Sequence, residues 1–184
     1  MTEKKKSFKE FFLPIIVLVS ICIIIAAAMA AINLVTKSKI ENDRKQKEEE
    51  ALSVVVPDNN GFTKLELTDM PESVVGIYSD NASERMAVML SVIGYDSSNP
   101  MSVAVGFDEN GKIIKCSVIS CNGETKGVGS KVSQESFLSR FYGLDNVSSV
   151  DTISGATISS KAFLEAVADA CTVVERYRAA EVTK

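Results

Sequence analysis

A single uncharged run near the N-terminus limits how that part of the chain can fold. Residues 11–35 read "FFLPIIVLVSICIIIAAAMAAINLV" and contain no Asp, Glu, Lys or Arg. As a helix rising about 1.5 Å per residue, this run reaches about 38 Å, enough to cross a bilayer with some tilt. Pro14 falls in the first turn, where a missing N–H does little harm. We therefore expect a transmembrane helix over residues 11–35, preceded by a cytoplasmic N-terminus over residues 1–10.

A cleaved signal peptide is the alternative for this region. Residues 4–9 supply a basic start, and the stretch "AAAMAA" offers small residues of the kind found at cleavage sites. The apolar character continues beyond these alanines to Val35, which favours a retained anchor over a removed leader.

Basic residues flank both ends of the run, over residues 4–9 and 37–47, so the positive-inside rule does not decide the orientation. A long C-terminal domain crosses a membrane largely regardless of its charge, whereas a short basic N-terminus is hard to translocate. We expect the N-terminus inside and the C-terminal domain outside the cytoplasmic membrane.

Two features of the composition exclude several kinds of chemistry. The chain has no histidine, which removes the most common general base and metal ligand. Its cysteines form no C-x-x-C pair, so we expect no metal site, and with no histidine as a base we expect no catalytic side chain. Cys116 and Cys121 lie on opposite faces of an apparent strand, which disfavours a disulfide between them. We expect the cysteines to be buried without a disulfide. A net charge of −4 argues against nucleic acid as a partner.

The rest of the chain divides into a charged segment and a domain of short elements. Residues 36–56 are rich in charge and contain no Gly or Pro, which predicts a helical stalk. Pro57 and the turn "DNNG" follow, and they mark the start of a domain over residues 57–184. Residues 73–78 and 87–95 resemble strands, although the second could also form a helix. The runs "MSVAVGF" and "KIIKCSVIS", joined by "DENG", predict a β-hairpin.

Two helices are predicted after the hairpin. The stretch "SQESFLSRFYG" indicates a short helix capped by Ser133 and ended by Gly143. An apolar stripe at helical spacing predicts a last helix from about Ser159 to Arg178. Strands followed by helices indicate an α+β domain, an antiparallel sheet with packed helices, on a single N-terminal transmembrane helix.

The stretch "DTISGATISS", residues 151–160, places small residues directly before this last helix. Ser154, Gly155 and Ala156 let a ligand approach the backbone, and the unpaired N–H groups of a helix start attract anions. Thr157 adds a hydroxyl at the same place. Many helices begin with such residues and bind nothing, so an ordinary helix start is the alternative. A serine or threonine hydrolase is disfavoured, because the stretch is not G-x-S-x-G and no histidine can act as the base.

The pattern D-x-x-S-G-A-T resembles the flavinylation motif of the FMN-binding domain family. This resemblance implies that FMN is covalently attached through a phosphoester to Thr157. It further implies that Asp151, Ser154, Gly155 and Ala156 complete a motif recognised by a flavin transferase, which draws FMN from FAD.

A second signature of that family lies upstream, in "GETKGVGSKVSQESFLSRFYG", which resembles its E-T-P-G-x-G loop and the following Phe-rich helix. The residues that match the loop, and that the resemblance places against the flavin ring, are Glu124, Thr125, Gly127, Val128 and Gly129. Lys126 stands where the family usually has proline. Its charge either lies near the flavin and favours the anionic reduced form, or points to water.

Both motifs, the single anchor and the chain length together resemble the G subunits of the Rnf membrane complexes. That resemblance implies a membrane-anchored flavoprotein, surrounded by lipid at its anchor, with its domain on the outer face of the cell membrane. It implies an electron relay to other subunits of the Rnf complex, which couples electron transfer between ferredoxin and NAD to ion translocation. Two alternatives remain: the C subunit of a sodium-pumping quinone reductase, and an anchored binding or scaffold domain without flavin.

Overall fold

A computed structural model describes residues 3–67 and 70–182 of the chain. The chain divides into two compact units, Met1–Gln46 and Lys47–Lys184. The first helix, α1, covers Glu3–Val55 and includes Pro14. Within the N-terminal unit, Phe12–Leu34 is long and apolar enough to cross a membrane, by length and composition. Its side chains from Phe12 to Leu34 are exposed all round, as expected of a helix that meets lipid rather than a protein core.

The C-terminal unit is built on an antiparallel sheet in which each strand pairs with the next one along the chain. The strands are β1 Phe62–Leu65, β2 Val74–Asp80, β3 Met86–Val92, β4 Met101–Phe107 and β5 Ile113–Ser120, in the order β1-β2-β3-β4-β5. The predicted hairpin is confirmed as β4 and β5. In its turn, Asp108 Oδ1 accepts the N–H groups of Asn110 and Lys112, both at 2.8 Å.

The predicted strands at 73–78 and 87–95 are also present, as β2 and β3. The second one is a strand and not a helix, and it ends at Val92. Residues Ile93 to Tyr95 leave the sheet instead of extending it. The edge strand β1 was not predicted, since it is only four residues long.

The helix predicted over residues 133–143 is in fact two short pieces, and a third short piece lies before it. A 3₁₀ helix at Gly129–Ser133 precedes α2, Glu135–Leu138, and a second 3₁₀ helix follows at Ser139–Phe141. The prediction that Ser133 caps this helix is wrong. Gln134 occupies the N-cap position of α2, and the Ser133 hydroxyl donates to the Ser130 carbonyl at 2.8 Å instead. The last helix, α3, covers Thr157–Val182 and so begins before Ser159.

The main core lies between one face of the sheet and α3. The rings of Phe137, Phe141 and Phe163 form its aromatic centre, with centroids 5.3 to 5.6 Å apart in edge-on arrangements. Such arrangements are favoured by the quadrupoles of the rings. Large side chains from alternate positions of β3 and β4 pack below them, namely Met86, Val88, Leu90, Val92, Met101, Val103, Val105 and Phe107.

A second, smaller core covers the opposite face of the sheet. There the last turns of α1 and the residue after it bury Ala51, Leu52, Val55 and Val56 against Ala87, Met89 and Ala104. The strand residues on this face are mostly small because the helix lies close to them. A Cβ added to Gly106 would lie 2.1 Å from the Val55 carbonyl oxygen. The predicted domain boundary at residue 57 therefore falls after residues that this core uses.

The cysteines differ in their surroundings. Cys116 and Cys171 are buried, Cys121 is half-buried, and Cys22 is exposed on the apolar helix, all as free thiols. The expected burial is thus confirmed for Cys116 and Cys171 and is wrong for Cys22.

Candidate functional site

The site lies at one end of the sheet, where two connections meet. Val92 at the end of β3 pairs with Met101 at the start of β4, and Ser102 pairs with Ser120 at the end of β5. The β3–β4 connection and the loop after β5 therefore leave the sheet on the same side. This antiparallel register brings residues 93–100 and 121–128 together.

A tight turn brings the start of α3 to the same place. The Ala156 N–H donates to the Ile153 carbonyl at 2.9 Å, and Gly155 between them has φ +83°, which a type II turn requires at this position. The Ser160 hydroxyl accepts the Ile153 N–H at 3.1 Å and donates to the Ala156 carbonyl at 2.8 Å. These bonds fix the turn so that α3 begins at Thr157, whose side chain is exposed.

An open cleft of about 310 Å³ lies between these three segments. Its volume is within the range of about 300–1,000 Å³ that is common for small-molecule sites. The residues that line it are Tyr95, Thr125, Val128, Gly129, Gly155, Ala156, Thr157, Ile158 and Ser159. Both loops singled out in the sequence thus contribute to one cleft, although about thirty residues separate them.

The floor and the rim of the cleft differ in chemistry. At the floor, the first N–H groups of α3 have no acceptor within the helix and carry the positive end of its dipole. At the rim, the apolar residues Tyr95, Val128 and Ile158 are 67%, 41% and 60% exposed. Clustered exposure of large apolar side chains marks a binding surface. The cleft therefore combines the first turn of α3 with exposed apolar side chains.

Glu124, which the resemblance placed against the ring, does not line the cleft. It is only 6% exposed. Its Oε1 accepts the Tyr95 N–H at 3.0 Å, and its Oε2 accepts the Ser159 hydroxyl. Its carboxylate lies behind the cleft and contacts two of its walls.

The remaining members of the two motifs lie outside the lining. Asp151, Ser154, Lys126 and Gly127 are all exposed to solvent. Lys126 is not among the residues that line the cleft, and the position of its charge relative to a flavin stays a prediction.

The loop keeps its shape without the usual proline through its own hydrogen bonds. The Thr125 carbonyl accepts the N–H groups of Val128 at 3.1 Å and Ser130 at 3.2 Å. The Ser130 hydroxyl accepts the Gly127 N–H at 2.9 Å. Val128 and Gly129 are therefore held at the cleft even with Lys126 in the loop.

Sequence reasoning missed two of the residues that line the cleft, Tyr95 and Ile158, and it noted Ser159 only as one of the small residues at the helix start. Tyr95 was assigned to a strand because "AVMLSVIGY" reads as one apolar run. The glycine before it, Gly94, is the signal that marks the end of that strand. Ile158 carried a signal too, since it is a large apolar residue among small polar ones at a helix start.

Comparison with known proteins agrees with this geometry. Residues 94–172 match the model of the FMN-binding domain. The chain is also similar to the G subunit of the proton-translocating ferredoxin:NAD(+) oxidoreductase complex of Clostridium ljungdahlii, with 27% identity over 160 residues. That alignment covers 81% of this chain and 83% of the relative. The matched domain spans the β3–β4 connection, the loop after β5 and most of α3, which are the segments that form the cleft.

Proposed function

We propose that residues 94–172, which match the model of the FMN-binding domain, form such a domain, and that FMN is bound covalently, through a phosphoester to the Thr157 hydroxyl. The observation that carries the proposal is the position of Thr157 in the cleft. It is the first residue of α3, its side chain is exposed, and it lies among the lining residues.

The start of α3 suits a phosphate for two reasons. The unpaired N–H groups of the first turn and the helix dipole favour a negative charge there. The neighbouring Gly155 and Ala156 have little or no side chain, so phosphate oxygens can approach the backbone closely. In this arrangement the chain binds the phosphate mainly with backbone groups.

The rim of the cleft suits a flat aromatic ring system. Tyr95, Val128 and Ile158 offer apolar surface beside Thr157, and their high exposure leaves one side open to a partner. Bound FMN supplies reversible electron acceptance, which no side chain of the cleft offers. The role of the chain is to hold the group at the surface and to keep it from dissociating.

The likeness to the clostridial protein supports a place in an Rnf-type complex. We place the chain as a membrane-anchored electron relay between other subunits of such a complex, which couples electron transfer between ferredoxin and NAD to ion translocation. The apolar segment Phe12–Leu34 anchors it in the membrane. The FMN-binding domain lies on the extracytoplasmic side, where a covalent bond prevents loss of the cofactor.

Maturation requires a flavin transferase that takes FMN from FAD. The Thr157 oxygen forms a bond to the FMN phosphorus, the pyrophosphate bond of FAD breaks, AMP leaves, and the hydroxyl proton is released. The motif is accessible to such an enzyme, since Asp151, Thr152, Ser154 and Gly155 are exposed beside Thr157.

The test is to co-express the full chain with a flavin transferase and to look for flavin fluorescence in the denatured protein after gel electrophoresis. We expect a fluorescent band and an intact mass increased by one FMN less water. Thr157→Ala removes the acceptor oxygen and should give a dark band, whereas Thr152→Ala, in the same exposed loop, should stay fluorescent. Fluorescence that survives in Thr157→Ala would move the attachment to another residue.

A further inference from the structure

Behind the cleft, a single buried carboxylate joins two segments that are far apart in the chain. Glu124 accepts the backbone N–H of Tyr95 at 3.0 Å and the hydroxyl of Ser159 in the first turn of α3. Both acceptor atoms belong to one side chain that is 6% exposed. Hydrogen bonds to a buried carboxylate are stronger than those between neutral groups, so this contact ties the Tyr95 segment to α3 firmly.

Two glycines make room for this carboxylate. A Cβ added to Gly94 would lie 1.9 Å from Glu124 Oε1. A Cβ added to Gly129 would lie 2.5 Å from Glu124 Oε2 and 2.8 Å from Ser159 Oγ. Real Cβ atoms do not approach other atoms so closely, so any larger residue at either position would displace the carboxylate. The three segments around the cleft are thus packed on one side chain.

We propose that Glu124 is a positioning residue that holds the Tyr95 wall of the cleft against the first turn of α3, with Gly94 and Gly129 as the space it requires. This role differs from contact with the ring, which the family resemblance suggested for Glu124. Only the identity of the ligand in the cleft rests on the proposed function. The bridge, meaning the two hydrogen bonds that join Glu124 to Tyr95 and Ser159, is a property of the unmodified chain.

The bridge predicts an ordering among substitutions of Glu124. Alanine removes both acceptors and frees the Tyr95 segment. Glutamine can still accept the Tyr95 N–H through its oxygen and donate to the Ser159 hydroxyl through its amide, so it should largely restore the bridge. A role that depended on the negative charge would instead make glutamine as damaging as alanine.

Hydrogen exchange measured by mass spectrometry on the full chain in lipid nanodiscs, without flavin, tests this directly. In Glu124→Ala we expect the peptide covering residues 93–98 to exchange about tenfold faster or more, since the Tyr95 N–H loses its hydrogen bond to a carboxylate. Glu124→Gln should stay within about threefold of wild type. Unchanged exchange of residues 93–98 in Glu124→Ala would overturn the proposal.

A matched control separates positioning from general stability. Asp80 is also a buried carboxylate that joins loops, but it lies at the far end of β2, where Ser79 pairs with Met86. Asp80→Asn should speed exchange around residues 58–62 and 80–85 and leave residues 93–98 unaffected. A uniform increase over the whole unit in Glu124→Ala would mark Glu124 as an ordinary stabilising residue and would overturn the proposal.

Gly94 allows a second, independent route to the same displacement. Gly94→Ala keeps the carboxylate but pushes it aside, so it should speed exchange of residues 93–98 as Glu124→Ala does. In the double variant the added methyl occupies space that the carboxylate has left, so exchange should be no faster than in Gly94→Ala alone. Effects that simply multiply in the double variant would show that the two residues act separately.

A last measurement on the flavinylated protein links the bridge to the cofactor. Freeing the Tyr95 wall should lower the fluorescence anisotropy of the bound flavin in Glu124→Ala, while Asp80→Asn should leave it unchanged. Anisotropy equal to wild type in Glu124→Ala, with faster exchange, would show that the bridge does not reach the flavin. If no flavin is attached at all, the proposed function fails, whereas the exchange data on the unmodified chain still decide the role of Glu124.

Discussion

Asp80 shows how a buried charge can serve structure alone, away from the cleft. Its side chain is fully buried, yet it accepts hydrogen bonds from the Ser83 hydroxyl at 2.5 Å and from the Asn60 and Ala82 N–H groups. Arg85 Nη2 lies 3.0 Å from it. Burial alone would raise the pKa of Asp80, but these hydrogen bonds outweigh it and lower the pKa to about 2. The carboxylate thus closes the β2–β3 turn and holds residue 60 beside it.

The lowered pKa of Asp80 predicts how stability depends on pH. Because the folded pKa of about 2 lies below the unfolded value of 3.8, the contribution is complete above pH 4 and disappears as pH falls towards 2. We expect Asp80→Asn to lower the free energy of unfolding at pH 7 by on the order of 2 kcal/mol, with a smaller loss near pH 2. Urea unfolding of the detergent-solubilised chain at several pH values measures this. Asp43→Asn, which changes an exposed carboxylate on α1, is the control, and a loss at Asp80 that is equal at all pH values would contradict the account.

At the scale of single residues, motif similarity anticipated the position of Thr157 in the cleft but not the role of Glu124. The position of Thr157 could be predicted from the sequence because its neighbours in sequence are also its neighbours in space. The partners of Glu124 are Tyr95 and Ser159, which are 29 and 35 residues away. Only the register of the sheet and the turn before α3 bring them together, so no local pattern could have indicated the bridge.

Among the elements, the hairpin and α3 could be predicted because their patterns are local. The hairpin alternates large and small residues around a turn with Asn110 and Gly111, and α3 carries an apolar stripe over several turns. The second core was missed because its helical half is short. Ala51, Leu52 and Val55 follow a run of glutamates and read as part of a solvated stalk. The small residues Ala104 and Gly106, alternating with valines in "MSVAVGF", were the available sign that something packs closely on that face.

The end of α1 should therefore be needed for the domain to fold. A chain shortened to start at Lys47 keeps the second core, whereas one shortened to start at Pro57 loses Leu52, Val55 and Val56. Each fully buried Val or Leu contributes about 1.5–3 kcal/mol, so the loss is comparable to the whole stability of an ordinary domain. We expect the chain starting at Lys47 to unfold cooperatively on heating and the one starting at Pro57 to be largely unfolded.

A point substitution provides the graded version of the same test. Leu52→Ala in the chain starting at Lys47 should cost about 2–5 kcal/mol, and Glu49→Ala, exposed on the same helix, should cost little. Equal melting temperatures for chains starting at Lys47 and Pro57 would show that the second core is dispensable.

For the whole molecule, the side of the membrane on which the domain lies is a prediction that labelling can decide. An exposed position on α1 after the apolar segment, such as Lys45→Cys, should react with a membrane-impermeant maleimide added to intact cells. Ser7→Cys, before the segment, should react only after lysis. The reverse pattern would place the domain in the cytoplasm.

The native thiols leave this experiment readable. Burial raises the pKa of Cys171 to about 11 and raises the pKa of Cys116 further, and buried thiols that stay protonated are inert. Cys121 is half-buried and Cys22 is exposed on the apolar helix, so both are best replaced by serine in the labelled chain. Any remaining signal then reports on the engineered cysteine alone.

The order of elements along the chain also sets an order of events in biosynthesis. Thr157 opens α3, the helix that follows all five strands, and the cleft needs the β3–β4 connection, the loop after β5 and this helix at once. A ribosome releases that helix after the strands, so the Thr157 hydroxyl can reach the cleft only once all the strands of the sheet have been synthesised. A transferase that recognises the complete cleft would thereby modify only molecules that have already folded. The fraction of molecules that carry the cofactor would then report the fraction that folded.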